Sequence, residues 1–509
     1  MLLAIVAGGA APASAGALIV TRFDDPAPDG CAPQDCSLRE AIIAANAADG
    51  SDTIELAAGT YKLEIAGTDE DEAATGDLDI ASDLTLTGAG ADTTAIDADG
   101  IDRVFDITGA PVVQTVAEPA DHFVPDPTFT VNISAVTIRN GSLGTDGGGG
   151  IRNSFSSLTL NETIISDNTA GFAGGIANLG DDALLTVTDS TINGNSASAP
   201  TGVGGGIFND GGSVTINRST VSANTAALHG GGLFIDGGTV TIDNSTLSGN
   251  RANWSGGAVR SNATVFLDYV TITNNTADDD GDGTGGGGGI AQTAGTFWSG
   301  SSIIAGNIDP TGDPDCFGAV STGWYNLFGE ISPGCTLENL PAFDLIGLDP
   351  MLGPLADNGG PTQTHALLLH SPAIGLTVDC PPPATDQRGI ARVEGNSCDA
   401  GAYEFQSPLW GDGDCDNDVD AVDALVTLQF VADLPFNQGD PCFNLGKPVN
   451  VSAAGSNETN YGEIMWGDVD CDDGVGAIDA LGILRFVAKL GSTPQVQPCP
   501  RFVNSVIVS

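Results

Sequence analysis

"GGGIFNDGGSVTINRSTVSANTAALHGGGLFIDGGTVTIDNSTLSGN" (residues 204–250) holds one unit written twice. Each copy passes from a glycine run through a short alternating stretch, "GSVTINRS" or "GTVTIDNS", to an Asn-bearing turn, "STVSANTA" or "STLSGNRA". Outward from this pair, "GGGGIRN", "AGGIANL", "SGGAVRS" and "GGGGIAQ" repeat the opening. Equivalent residues fall at Ile151, Ile176, Ile207, Leu233, Ala258 and Ile290, at intervals of 25, 31, 26, 25 and 32 residues. A period of this size is the mark of a solenoid. The units carry no apolar pattern at helical spacing and are rich in Gly and β-branched residues, which excludes helical repeats.

Each unit therefore reads as three short strands separated by Gly and Asn turns, one coil of a parallel β-helix. The "T-I" and "T-V" pairs put β-branched residues inward at equal heights, so coils stack like on like. Asn168, Asn195, Asn224, Asn250, Asn275 and Asn307 recur at one turn. Asn tolerates the left-handed backbone there, and its amide can bond to the Asn of the next coil. Earlier stretches at 52–65, 76–90 and 103–108 read as opening rungs. Before them, "CSLREAIIAANA" (36–47) has Ser37 as N-cap and Glu40 at the capping-box position, an amphipathic helix suited to cover the open end of the solenoid.

The chain of 509 residues has Lys+Arg 15 against Asp+Glu 66, a formal net charge of −51. Only Lys62, Lys447 and Lys489 are lysines, so little is left to neutralise phosphates; nucleic acid is excluded as a partner, and an anionic membrane would repel the chain. Cations are the natural partners of such a field. No stretch is long and apolar enough for a membrane span. "MLLAIVAGGAAPASA" ends in a small-residue site at Ala15 and fits a signal peptide, which predicts export. Ten cysteines fall as neighbours, Cys31/Cys36, Cys316/Cys335, Cys380/Cys398, Cys415/Cys442 and Cys471/Cys499. Spacing alone does not fix their connectivity. Pairing within these neighbours is the simplest arrangement and implies an oxidising compartment. The order expected is a signal peptide (1–15), an N-terminal cap (16–51), a parallel β-helix (52–310), a closing cap (311–406) and a small module (407–509).

"CSLREAIIAAN" followed by Gly-rich coils resembles the CSLREA-type family of secreted bacterial β-helix proteins. "DPMLGPLADNGGPTQTHALLLHSPAIG" and "DQRGIARVEGNSCDAGAYEF" (349–405) resemble the closing segment of choice-of-anchor β-helix proteins. The resemblance implies a mainly β fold, a right-handed parallel β-helix of pectate-lyase type, displayed or secreted. It does not imply one activity.

The last hundred residues read differently. "WGDGDCDNDVDAVDALVTLQFVADL" (410–434) and "WGDVDCDDGVGAIDALGILRFVAKL" (466–490) align without a gap. Acids fall at loop positions 1, 3, 5 and 12 in both: Asp412, Asp414, Asp416 and Asp423, then Asp468, Asp470, Asp472 and Asp479. Position 7, Asp418 or Gly474, would give a backbone carbonyl. This is the spacing of an EF-hand-type calcium loop, and it predicts two calcium ions. Loop followed by one helix, twice in tandem, resembles the dockerin type I module, a small α-helical unit. Position 6 is Asn417 and Asp473 where Gly is usual. Positions 10 and 11 are Ala421/Val422 and Ala477/Ile478 rather than the Ser/Thr that touch cohesin in cellulosomal dockerins. Calcium binding carries over; cohesin binding does not.

In the coils, the available bases are Arg139, Arg152, Arg218, Arg251 and Arg260, with His229. Arg152 and Arg260 share one offset, which places them on one face but four coils apart, too far for one site. "DDDGDGTGGGGG" (278–289) is an acidic, Gly-rich loop. His229 reads as a turn or surface residue, and His365 and His370 carry no visible partner. Two classes stay open. One is a surface or matrix scaffold that binds a polysaccharide or a cell-surface protein, favoured because no catalytic constellation is visible. The other is a polysaccharide lyase or glycoside hydrolase, supported by the attached dockerin-like module.

Overall fold

The computed structural model describes residues 17–48, 50–68, 70–109, 129–339, 341–378, 380, 382–392, 397–406, 419, 421–432, 434, 448–453, 460–465, 469, 475, 477–488 and 506–508. The expected signal peptide lies outside them. Three ladders of parallel strands run the length of the solenoid. The first holds Leu78–Ile80, Phe105–Thr108, Ile151–Ser154, Ile176–Leu179, Ile207–Asp210, Leu233–Ile235, Val259–Ser261 and Ile290–Gln292. The second starts earlier than expected, at Ala17–Ile19, and runs through Asp52–Glu55 and Phe297–Gly300 to Cys316–Thr322 and Cys335–Glu338. The third runs from Gly59–Lys62 to Leu345–Ile346, so coils continue past residue 310. The chain is mainly β and forms a parallel β-helix.

The coil register corrects one reading. Leu233 pairs with Val259, not Ala258, because this coil has Ala258 where its neighbours have the last Gly of the run. Inside, identical heights are filled by like residues: Ile138, Ile165, Ile192, Val221, Leu247, Ile272 and Ile304 lie over one another, all 0% exposed. Each buried side chain of this size stabilises the fold by about 1.5–3 kcal/mol. The six predicted Asn residues form a continuous ladder. Asn168 Nδ2 donates to Asn195 Oδ1 at 3.0 Å, Asn195 to Asn224 at 2.9 Å, and so on to Asn307, which donates to Asp315 Oδ1 at 2.8 Å. A second ladder, Asn153–Asn178–Asn209, closes the turn after the first sheet at 2.7 Å per step.

At the N-terminal end, helix α1 (Leu38–Ala47) has the expected capping box between Ser37 and Glu40. Arg39 is buried, pairs with Asp25, and donates to the carbonyls of Ala73, Gly76 and Asp77. The helix thereby locks the loop before Leu78 onto the first rungs.

The described residues between 350 and 405 lie as a strap along the outer side of the third sheet, reaching the last coils at Ile303, Ala305 and Leu327. Thr362 Oγ1 donates to Arg218 O, Thr246 Oγ1 to Gln387 Oε1, Asn244 Nδ2 to Thr385 O, and Ala402 N to Thr271 Oγ1. His365, for which no partner was expected, is buried here between Ser248 Oγ (2.8 Å) and Gly353 O (2.7 Å). Disulfides join Cys31–Cys36, Cys316–Cys335 and Cys380–Cys398. Cys415, Cys442, Cys471 and Cys499 lie outside the described residues.

Candidate functional site

The outward residues of the first sheet form a single column. In register, from the N-terminal end, they are Asp79, Asp106, Arg152, Ala177, Phe208, Phe234, Arg260 and Ala291. Strand alternation puts them outside because their neighbours Ile107, Ile151, Ile176, Ile207 and Leu233 fill the core. Arg152 and Arg260 do share this face four coils apart, as the spacing implied.

Acids gather at the lower end of the column. Carboxylate oxygens of Asp77, Asp79 and Asp106 lie within 4.8 Å of one another, and all three residues are buried. Arg103 reaches Asp77 at 2.7 Å and Asp146 at 2.7 Å. Arg152 grips Asp106 through both Nε and Nη2, and also meets Asp146 at 3.2 Å. Burial pushes the Asp77 carboxyl up to about 8, against the pull of Arg103, and the Asp79 carboxyl up to about 7, although Ala73 N–H donates to it. Burial therefore holds the Asp77 and Asp79 carboxyls toward their protonated forms. Acids and two arginines thus converge at this end of the column, a grouping not foreseen from the sequence. Its signal was the outward Asp of "GDLDIAS" and of "RVFDIT", two strands already readable as rungs, whose register sets Asp79 beside Asp106.

Higher up, aromatic rings meet from coil to coil, edge-to-face at Phe172–Phe208, stacked at Phe208–Phe234 and Phe234–His229, and tilted at His229–Trp254. Ring centroids are 5.4 Å apart for Phe172–Phe208, 5.6 Å for Phe208–Phe234, 6.0 Å for Phe234–His229 and 5.1 Å for His229–Trp254. Trp254 ends the run and is 44% exposed. His229 is half-buried rather than a plain surface residue, and Ser255 Oγ lies 2.8 Å from its Nδ1. Of the other coil arginines, Arg139 pairs with Asp97, Arg218 with Asp189 and Arg251 with Asp279, so they are structural. In the loop after residue 277, Asp278, Asp280 and Asp282 come together, but backbone N–H groups of their own loop already bond to them.

In the C-terminal module, α2 (Ala421–Val431) packs on α3 (Ala477–Val487). Between them Val419, Ala424, Val469 and Ile483 form a small core. The position-12 residues Asp423 and Asp479 both stand in the first helical turn and are 0% and 1% exposed. A carboxylate buried at a helix start suits an inward-facing ligand. Asp412, Asp414, Asp416, Asp418, Asp468, Asp470, Asp472 and Gly474 lie outside the described residues. The module also holds an antiparallel sheet of Pro448–Ala453, Asn460–Met465 and Val506–Val508, which the purely helical expectation missed.

No family model matches the sequence, and the comparison with curated proteins finds no relative. Among solved structures the chain is similar to the crystal structure of pectate lyase Pel9A, with TM-score 0.41 and 13% identity over 77% of this chain and 98% of that one. A likeness at this level carries no argument about chemistry. The strand pairing described above, on its own, makes the fold a parallel β-helix. Among the described residues no helix is long and apolar enough to cross a membrane.

Proposed function

We propose that this chain is a secreted or cell-surface scaffold that binds carbohydrate along the first-sheet face of its solenoid. The module at 407–509 would hold two calcium ions through the two Asp loops and serve for attachment or for docking a partner. The observation that carries the reading is the aromatic run from Phe172 to Trp254. Phe208 and Phe234 stand on the rigid sheet and the run ends beside it in the exposed Trp254 indole, the kind of face the apolar side of a sugar packs against. The resemblance to secreted β-helix families, the local disulfides and the signal-like start support export. The test is retention on insoluble polysaccharides in calcium buffer. Binding that weakens in Trp254→Ala supports the reading; no retention on any polysaccharide overturns it.

A second reading, a polysaccharide lyase or hydrolase, is favoured by the cluster of Asp77, Asp79 and Asp106 with Arg103 and Arg152. Raised carboxyls near neutrality suit proton transfer. Its test is release of reducing ends or unsaturated products from the polysaccharides that bind. Turnover lost in Asp106→Asn, with retention intact, promotes the enzyme; no product from any bound polysaccharide leaves the scaffold.

A further inference from the structure

The coil arginines differ in what they hold. Arg139, Arg152, Arg218 and Arg251 each meet an aspartate. Arg260 does not: among the described residues no carboxylate oxygen lies within 4.0 Å of its guanidinium. Its Nη1 donates to neutral oxygens only, Ser261 O at 3.0 Å, Asn262 Oδ1 at 2.8 Å and Thr293 Oγ1 at 2.5 Å. Its Nε is buried without an acceptor. Asp236 lies near enough for its charge to favour the guanidinium, but its Oδ1 accepts from Asn262 Nδ2 at 2.7 Å. In a chain of net charge −51, a half-buried arginine without an aspartate is an unfinished ion pair.

What surrounds Arg260 is equally specific. Phe234 sits at the same register on the coil before it. His229 stacks 6.0 Å from Phe234 and lies tilted 5.1 Å from Trp254, whose indole is exposed. His229 adds no second charge near neutrality, since burial and the Arg260 charge draw it down to about 4. Asn262 supplies an amide and Thr293 a hydroxyl around the rim, and Asp236 an acceptor carboxylate turned to Asn262. One fixed cation, one exposed indole and a polar rim thus stand within two neighbouring coils and the next.

We propose that this group is a binding site for a saccharide carrying an isolated carboxylate. The carboxylate completes the ion pair of Arg260, the sugar ring lies against Trp254, and hydroxyls meet Asn262, Thr293 and Asp236. A charge-assisted pair to guanidinium is among the stronger hydrogen bonds available to a ligand. A densely charged polyuronate is disfavoured, because the field of the whole protein repels it while one arginine attracts it. A single uronate on an otherwise neutral chain feels the local cation at contact distance and little of the screened field. This inference rests on the carbohydrate reading above and deepens it.

The test is calorimetric titration of the full chain, in calcium buffer, with a neutral xylooligosaccharide and with the same oligosaccharide bearing one glucuronate. The acidic ligand should bind at least about tenfold more tightly, the gain expected of one charge-assisted bond. Arg260→Gln should bring its affinity down to that of the neutral ligand, and higher salt should do so in part. Trp254→Ala, at an exposed indole whose loss leaves the coils intact, should weaken both ligands. Equal binding of the two oligosaccharides overturns the proposal, as does tight acidic binding that survives Arg260→Gln, or full competition by a glutamate peptide. If neither oligosaccharide binds while insoluble polysaccharides still retain the protein, this site is wrong and the carbohydrate reading stands. If nothing is retained, both fall together.

Discussion

The guanidinium carbon of Arg392 sits 3.9 Å from the centroid of the Tyr269 ring, joining the strap to a turn of the coils. Arg392 is 0% exposed and spends its donors on Asn244 Oδ1, Gly401 O, Asp399 O and Thr385 O, with Glu404 at 3.4 Å. Arg392→Ala leaves Glu404 and four acceptors in a dry interior, so a loss of about 3–5 kcal/mol is expected. Arg392→Lys should recover little, because an ammonium cannot reproduce the fork or lie flat on the ring. Urea denaturation and protease sensitivity of residues 350–405 would show it; a variant as stable as the parent refutes the role.

The Asn ladder predicts a sharper chemical preference. Asn224 accepts from Asn195 N and Nδ2 and donates to Asn250 Oδ1 and Ile192 O. Asn224→Ala orphans groups on both sides, each unmade bond costing about 1–3 kcal/mol. Asn224→Asp, nearly the same shape, should be no better, since a carboxylate has nothing to donate to the next coil. Asp is tolerated where the ladder ends, at Asp315, whose oxygens only accept, from Asn307 and Glu330 N. Equilibrium unfolding of the two variants decides this: an Asp variant as stable as wild type is the outcome that refutes it.

The acid cluster predicts a pH slope in the opening coils. Burial raises Asp77 to about 8 and Asp79 to about 7 in the folded chain, above the unfolded value. Folding therefore favours their protonated forms. Their contribution is fully present below about pH 4, the unfolded carboxyl range, and is lost as pH rises through 7 and 8. Asp79→Asn keeps an oxygen for Ala73 N–H and removes the titration, so it should stabilise at pH 8 and change little at pH 4. Hydrogen exchange in Leu78–Ile80 at the two pH values would read it out, and equal exchange in both proteins at pH 8 would count against the cluster.

The module should depend on calcium where the solenoid does not. On the proposed calcium reading, the four loop carboxylates of each site would repel one another without the ion, so binding energy would become folding energy. Chelation should lower the smaller of two calorimetric transitions and spare the larger, and Asp423→Ala or Asp479→Ala should each remove about one bound ion. If both transitions ignore chelator, residues 412–423 and 468–479 are not metal loops.

Much of the solenoid was legible because its coils stack like on like, so Asn168 to Asn307 and the inward Ile and Val positions repeat in the sequence itself. The slip at Ala258 arose where a glycine run is one residue short and only strand pairing reveals Val259. The strap was not legible: Thr246 meets Gln387 and Ser248 meets His365 through irregular backbone, and no period encodes such contacts. The acid cluster was overlooked because Asp106 joins Asp77 and Asp79 only through the register of two neighbouring rungs, which the irregular opening coils do not spell out as a repeat. Arg260 was visible as a residue, but not as the arginine left without an aspartate.

The strap is also a ruler. Its bonds fall on successive coils at Arg218, Asn244, Thr246, Ser248 and Thr271, so it measures a fixed number of turns. Outside that span, a coil added or deleted between Asn168 and Asn195 would still meet an Asn of the ladder and like inward residues on each side. Under the strap the same change would carry every partner out of reach by one rung. The strap thus fixes the number of coils from Arg218 to Thr271, and the aromatic run from Phe234 to Trp254 lies in that part.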